Sequence, residues 1–115
     1  MRQFTENLLL KELNIAFARG DIASLTDLVT ADLTWQQAGR AESRGKSDFL
    51  AAAGSGSIAT LTLEAIISHG KRGAVNGVMT MHDGTTYAFC HVVEFNNAKG
   101  SQVKAIMSYL IGSDQ

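Results

Sequence analysis

Proline is absent from the 115-residue chain, and cysteine occurs once, as Cys90. A single thiol excludes an internal disulfide framework and any multi-cysteine metal site. Aromatic residues are few, with one tryptophan, two tyrosines and five phenylalanines. Charge of either sign is sparse: 10 Lys and Arg stand against 11 Asp and Glu, a formal net charge of −1. That balance, with a pI near 6.3, leaves no basic footprint of the kind nucleic acid requires. No apolar run approaches the length of a membrane span, and the apolar stretch Leu8-Leu9-Leu10 is too short for the core of a signal peptide. The sequence reading is therefore a cytoplasmic protein with no nucleic-acid or membrane partner. At 45% hydrophobic residues the chain is too apolar for disorder, and its length suits one domain, 1–115, around one core.

What is present divides into two periodicities. Leu9, Leu10, Leu13, Ala16 and Phe17 recur at spacings of three and four, which predicts an amphipathic helix. Thr5 is its expected N-cap, and Gly20 its expected left-handed terminus. Asp21 is placed to cap a second, shorter helix carrying Ile22, Leu25, Leu28 and Val29. A short strand at 33–37, a polar loop at 39–45, a third helix from about Ser47 with Phe49, Leu50 and Ala53 inward, and a flexible exit at 54–57 follow. After residue 58 the period becomes two. Strands are predicted at 60–69, 74–82, 85–95 and 102–111, separated by Gly70-Lys71-Arg72-Gly73, Asp83-Gly84 and 96–100. Helices followed by an antiparallel meander make an α+β fold, with three N-terminal helices covering one face of a curved, mainly antiparallel sheet.

Asp-Gly between alternating runs is a strong hairpin signal. With a two-residue loop, His82 faces Thr85, Thr80 faces Tyr87, Val78 faces Phe89 and Asn76 faces His91, all on one face. Val75, Gly77, Met79, Met81, Ala88, Cys90 and Val92 then share the other face. A three-residue loop inverts the assignment on one of the two strands. Under the two-residue count, the first face suits a partly polar cavity beneath the helices. The second is smooth and apolar. Joined by Ala105, Met107 and Tyr109, it is expected to form a homodimer interface, since exposed patches of this size mark partner surfaces.

The order of these elements resembles the nuclear-transport-factor-2-like superfamily, in particular its small bacterial SnoaL-like and ketosteroid-isomerase-like members. The resemblance is carried by Phe17-Ala18-Arg19-Gly20-Asp21, Leu28-Val29-Thr30-Ala31-Asp32, Trp35, Arg44-Gly45-Lys46 and the closing hairpin from Phe95 to Ile111. It implies a cystatin-like cone, a sheet curled around a pocket that long helices close, and frequent homodimers. It does not imply one activity, because the same cone hosts isomerases, cyclases, dehydratases, hydrolases and binders. The positions that hold a tyrosine and two aspartates in ketosteroid isomerases align here with Leu13, Gln37 and His91. The epoxide hydrolases of the superfamily need an Asp–Arg–Asp group, whereas the four long strands carry only Glu64 and Glu94 as carboxylates.

The expected pocket comprises Leu13, Phe17, Trp35, Gln37, Asn76, Val78, Thr80, Tyr87, Phe89 and Ser108, with Ile106 and Leu110 from the last strand. His91 is the catalytic candidate, since imidazole titrates near neutrality. The competing reading is a core histidine satisfied by Asn76. Gln37 orients a ligand but is no base. His69 and His82 are expected in solvent, and three separated histidines give no metal-ligand spacing, so neither metal nor cofactor is assigned. Cys90 reads as a small hydrophobe rather than a nucleophile. The functional expectation is binding of a small hydrophobic molecule, with isomerase, cyclase or dehydratase chemistry through His91. The alternative is a non-catalytic sensing or protein-interaction module. Both ligand readings fail if Leu13, Trp35, Phe89 and Leu110 fill the cone completely.

Overall fold

The structure is a computed structural model that describes residues 2–98 and 101–112, with side chains from residue 6 onward. Three helices, α1 (Arg2–Arg19), α2 (Ile22–Leu28) and α3 (Lys46–Gly54), pack on a six-stranded sheet. Its strands are β1 (Val29–Gln37), β2 (Ser43–Arg44), β3 (Ile58–His69), β4 (Arg72–Met81), β5 (Thr86–Phe95) and β6 (Val103–Gly112), in the spatial order β2-β1-β6-β5-β4-β3. Every neighbouring pair is antiparallel except β1 with β6. The α+β architecture read from the sequence is the one observed. Among the described residues no helix is long and apolar enough to cross a membrane.

The helical boundaries follow local chemistry. Helix α1 starts at Arg2, so Thr5 lies inside it and is not its cap. Gly20 ends the helix at φ 70°, and a Cβ there would also stand 3.1 Å from the carbonyl oxygen of Ala53, so glycine is required twice over. Asp21 caps α2 as expected: its Oδ1 accepts from the Ser24 N–H at 3.2 Å and its Oδ2 from the Ser24 hydroxyl at 2.7 Å. Those bonds hold its carboxyl below the ordinary range. Helix α2 runs directly into β1, and two distant side chains satisfy the junction. Lys46 Nζ donates to Thr26 O at 2.9 Å and Val29 O at 3.3 Å, while Gln102 Nε2 donates to Asp27 O and Val29 O. A cation at a helix C-terminus also suits the helix dipole.

The polar loop expected at 39–45 contains a two-residue strand, β2, paired through Trp35↔Arg44 and Gln36↔Ser43. The Asp83-Gly84 hairpin differs more consequentially. Met81 N–H donates to Thr85 O at 2.8 Å and Gly84 N–H to Met81 O at 3.0 Å, so the loop is His82-Asp83-Gly84, three residues. Gly84 occupies the left-handed position at φ 91°, the arrangement such loops favour. His82 lies in the turn, and its N–H points to the other side and pairs with Ser57 O at 3.0 Å. The register is Met79↔Tyr87, Gly77↔Phe89 and Val75↔His91, one residue from the two-residue count. Asn76, Val78 and Thr80 therefore face away from the helices, and Met79 and Met81 face toward them. The assignments on β5 stand.

Register shifts interrupt β3 between Ile58 and Thr60 and between Leu63 and Ala65, and β5–β6 at Glu94/Phe95. Such bulges bend a sheet. Gly77 of β4 sits against the second of them: an added Cβ would overlap the carbonyl oxygen of Thr62 and stand 3.0 Å from its carbon. The core fills one end of the concave face, where Leu9, Leu10 and Leu13 of α1 meet Val93, Phe95, Val103 and Ile106. Of the predicted separator 96–100, residues 99–100 lie outside the described residues.

Gly77→Ala is expected to destabilise the protein by about 3 kcal/mol or more, because backbone and not a movable side chain is in the way. Gly70→Ala, at φ 61° with open space around it, should cost only about 1 kcal/mol. Urea denaturation of the two variants checks this, and equal losses would contradict the close approach of β3 to β4.

Candidate functional site

Toward the other end of the concave face the helices and sheet part around a cavity of about 230 Å³, somewhat smaller than the sites of drug-sized ligands. Helix α1 contributes Leu13, Asn14 and Phe17, and β1 contributes Trp35 and Gln37. Helix α3 supplies Phe49 and Ala52, and β3 Ile58 and Leu61. Met79 and Met81 of β4, Phe89 and His91 of β5, and Ile106, Ser108 and Leu110 of β6 complete the sheet side, with Ser55 and Ser57 on the approach from α3. Leu13, Trp35, Phe89 and Leu110 thus line the space without filling it. Its walls are mostly apolar, and no Asp, Glu, Lys or Arg is among the described residues that line it.

The aromatic wall is a packed unit. Phe17, Trp35 and Phe49 lie at centroid distances of 5.1 to 6.3 Å in tilted and edge-on pairs. Arg44 Cζ lies 4.1 Å from the Trp35 ring centroid, a cation–π contact set by the β1–β2 pairing. The Arg44-Gly45-Lys46 run is thereby explained residue by residue: stacking on Trp35, entry to α3, and a clasp on the end of α2.

His91 is the most polar element of the wall. Its ring stacks on Phe89 at 4.8 Å, and Nδ1 is hydrogen-bonded to Ser108 Oγ at 2.8 Å across the β5–β6 pair. His91 keeps part of its surface accessible, yet the surrounding protein withdraws the ring from water enough to push its pKa down to about 4. The imidazole is therefore neutral at pH 7. The remaining polar groups are two amides and the hydroxyls of Ser55 and Ser57. Gln37 lies opposite Ser108 in the β1–β6 register, and buried Asn14 donates Nδ2 to Leu10 O at 2.9 Å.

Of the expected pocket residues, Leu13, Phe17, Trp35, Gln37, Phe89, His91, Ile106, Ser108 and Leu110 meet at the cavity. Asn76, Val78 and Thr80 do not, because the extra turn residue rotates β4; Thr80 pairs instead with Thr86, Oγ1 to Oγ1 at 3.4 Å. For the same reason Asn76 is not the partner of His91. Tyr87 shares the inward parity of Phe89 but lies beyond the cavity, beside Gly112. Asn14 follows from the helical stripe, standing four after Leu10 and three before Phe17. Leu61 and Ile58 carry no such signal, since bulges break the parity of β3. His69 and His82 are exposed.

A family model described as a SnoaL-like domain matches residues 10–103. The chain belongs to this family. Its fold is NTF2-like, as solved structures show. One neighbour, a candidate ketosteroid isomerase from Kribbella flavida, superposes with a TM-score of 0.81 at 14% identity, over 98% of this chain and 82% of that one. An NTF2-like protein of unknown function from Burkholderia xenovorans gives 0.80 at 17% identity, over 100% and 90%. An epoxide hydrolase of the LEH-like type from Mycobacterium tuberculosis gives 0.79 at 12% identity, over 96% and 86%. Among curated proteins none matches by sequence. At these identities the SnoaL-like relationship carries fold and not chemistry.

The buried imidazole makes the folded state acid-sensitive. Unfolded, the histidine titrates near 6.5; folded, near 4. Between those values the unfolded chain binds more protons, so the contribution of His91 is complete above 6.5 and lost as pH falls to 4. Discounted for its residual exposure, the loss is about 2 kcal/mol. Denaturation of wild type and His91→Gln at pH 7 and pH 4 should show wild type losing that much more. Parallel losses would contradict the burial of a neutral ring.

Proposed function

We propose that this SnoaL-like protein binds a small, uncharged, mainly apolar molecule in the cavity, with His91, Gln37 and Asn14 as its polar contacts. The observation that carries this reading is an unfilled apolar space whose described lining holds the amides of Asn14 and Gln37, the imidazole of His91 and the hydroxyls of Ser55, Ser57 and Ser108, and no charged side chain. That is the usual make-up of a small-molecule site. Isomerase or dehydratase chemistry through His91 is the catalytic version of the reading. A general acid or base works best with a pKa near the operating pH. A ring titrating near 4 is a weak base at neutrality, and no carboxylate in the cavity stands ready to replace it. Binding is favoured over turnover on that ground.

Trp35 is the only tryptophan and lies in the wall, so its fluorescence reports occupancy directly. Titration with small apolar compounds is expected to shift its emission saturably, and Met79→Trp, which places a bulky ring in the cavity, should weaken binding by about tenfold or more. His91→Ala should weaken the response while retaining the fold. An unsaturable response in wild type would overturn the proposal.

A second reading concerns the outer sheet face. Ile67, Tyr109 and Ile111 are 67%, 46% and 71% exposed there, on the face that also holds Ala88, Cys90, Val92, Ala105 and Met107. Exposed apolar groups gathered on one face favour a homodimer through it. Met79 and Met81, expected on this interface from the two-residue count, belong to the cavity instead. Light scattering at micromolar concentration should give twice the 12.3 kDa chain mass, and Tyr109→Glu with Ile111→Lys should halve it. A wild-type mass of one chain would exclude the dimer.

A further inference from the structure

We propose that Ser108 fixes His91 as the tautomer protonated on Nε2, so that the cavity selects uncharged molecules presenting a hydrogen-bond acceptor to that N–H. This deepens the binding reading and rests on it.

Hydrogen-bond accounting at the His91–Ser108 pair leads to the tautomer. Nδ1 and Ser108 Oγ are 2.8 Å apart, and either could donate on distance alone. Ser108 is 5% exposed, and among the described residues its hydroxyl has no other partner. Were Nδ1 to carry the proton, the serine hydroxyl would accept and its own proton would be left unpaired in a nearly buried setting. That costs the desolvation of a polar hydrogen. With Ser108 donating to Nδ1, both atoms are satisfied and the ring proton resides on Nε2. Nε2 itself has no hydrogen-bond partner among the described residues, and it is not among the buried unpaired atoms. It is therefore an open donor on the ring of a cavity-lining residue. Ser108 is a positioning residue here: it lines the cavity, and its hydroxyl holds the imidazole.

The rest of the cavity sharpens the selection. A carboxylate or ammonium entering it would exchange water for apolar walls without meeting an opposite charge, which is strongly unfavourable. A ketone, ester, epoxide or similar neutral acceptor loses little water and gains the Nε2–H bond. A hydrocarbon of the same shape gains only contact with the walls.

Three probes test this, the isosteric pair cyclohexanone and methylenecyclohexane and the anion cyclohexanecarboxylate, titrated against ¹⁵N-labelled protein by NMR. Long-range ¹H–¹⁵N spectra of the imidazole are expected to show His91 protonated on Nε2 at pH 7. Both neutral probes should bind and the carboxylate should not. The ratio of ketone to hydrocarbon affinity should fall about tenfold in His91→Phe and clearly in Ser108→Ala, while Ser108→Thr, which keeps the hydroxyl, retains it. Using a ratio removes losses due to packing alone. A ring protonated on Nδ1, a ratio unchanged in Ser108→Ala, or carboxylate binding equal to ketone binding would overturn the inference and leave the binding reading intact. If neither neutral probe binds at millimolar concentration, both fall.

Discussion

The pairing register between β4 and β5 decides what this molecule presents to its interior. Side chains alternate along a strand, so one residue more or less in the connecting turn exchanges the two faces of β4. The His82-Asp83-Gly84 turn adds that residue, and Gly84 accepts the left-handed backbone that closes it. Asp83 Oδ1 takes the N–H of Thr85 at 2.9 Å and locks the turn further. As a result Met79 and Met81 stand over the cavity, while Asn76, Val78 and Thr80 face outward. The cavity becomes softer and less polar than the alternative register would make it. Its hydrogen-bonding capacity rests on His91, Gln37, Asn14 and the hydroxyls of Ser55, Ser57 and Ser108.

The concave face is filled at one end and open at the other, and both states follow from the same strands. Along β5, Phe95 and Val93 pack beneath α1, whereas His91 and Phe89 line empty space. At the filled end Gly73 lets α1 descend onto the sheet: a Cβ there would stand 2.9 Å from Leu10 Cδ1 and 3.3 Å from Phe95 Cε2. Nearer the open end Gly77 admits the close approach of the bulged β3 backbone. The aromatic cluster of Phe17, Trp35 and Phe49, backed by Arg44, holds that end apart without occupying it. Apolar space in water is unfavourable unless it is kept open by rigid walls or filled by a ligand, which is the physical basis for reading it as a site.

Much of this was legible in the residues. The change of period near residue 58, the Gly20 terminus and the Asp21 cap rest on short-range chemistry, and they stand within a few residues of expectation. Trp35, Gln37, Phe89, His91 and Ser108 were placed on one surface because the β1, β5 and β6 parities survive. Two features of the chain are not written in its linear pattern. Asp-Gly is compatible with turns of two and of three residues, and one contact of the observed turn, the His82 N–H to Ser57 O, reaches a residue distant in sequence. Bulges in β3 and the brief β2 strand depend on neighbours that a linear pattern does not name. The hydrogen bond between His91 and Ser108 is likewise a cross-strand fact, visible only once the register is known.

The central claim is the register, and backbone NMR tests it most directly. Cross-strand NOEs between β4 and β5 are expected to connect Met79 with Tyr87 and Gly77 with Phe89, as the three-residue turn requires. NOEs connecting Thr80 with Tyr87 and Val78 with Phe89 would contradict the account, returning both methionines to the outer face and rebuilding the cavity wall around different side chains.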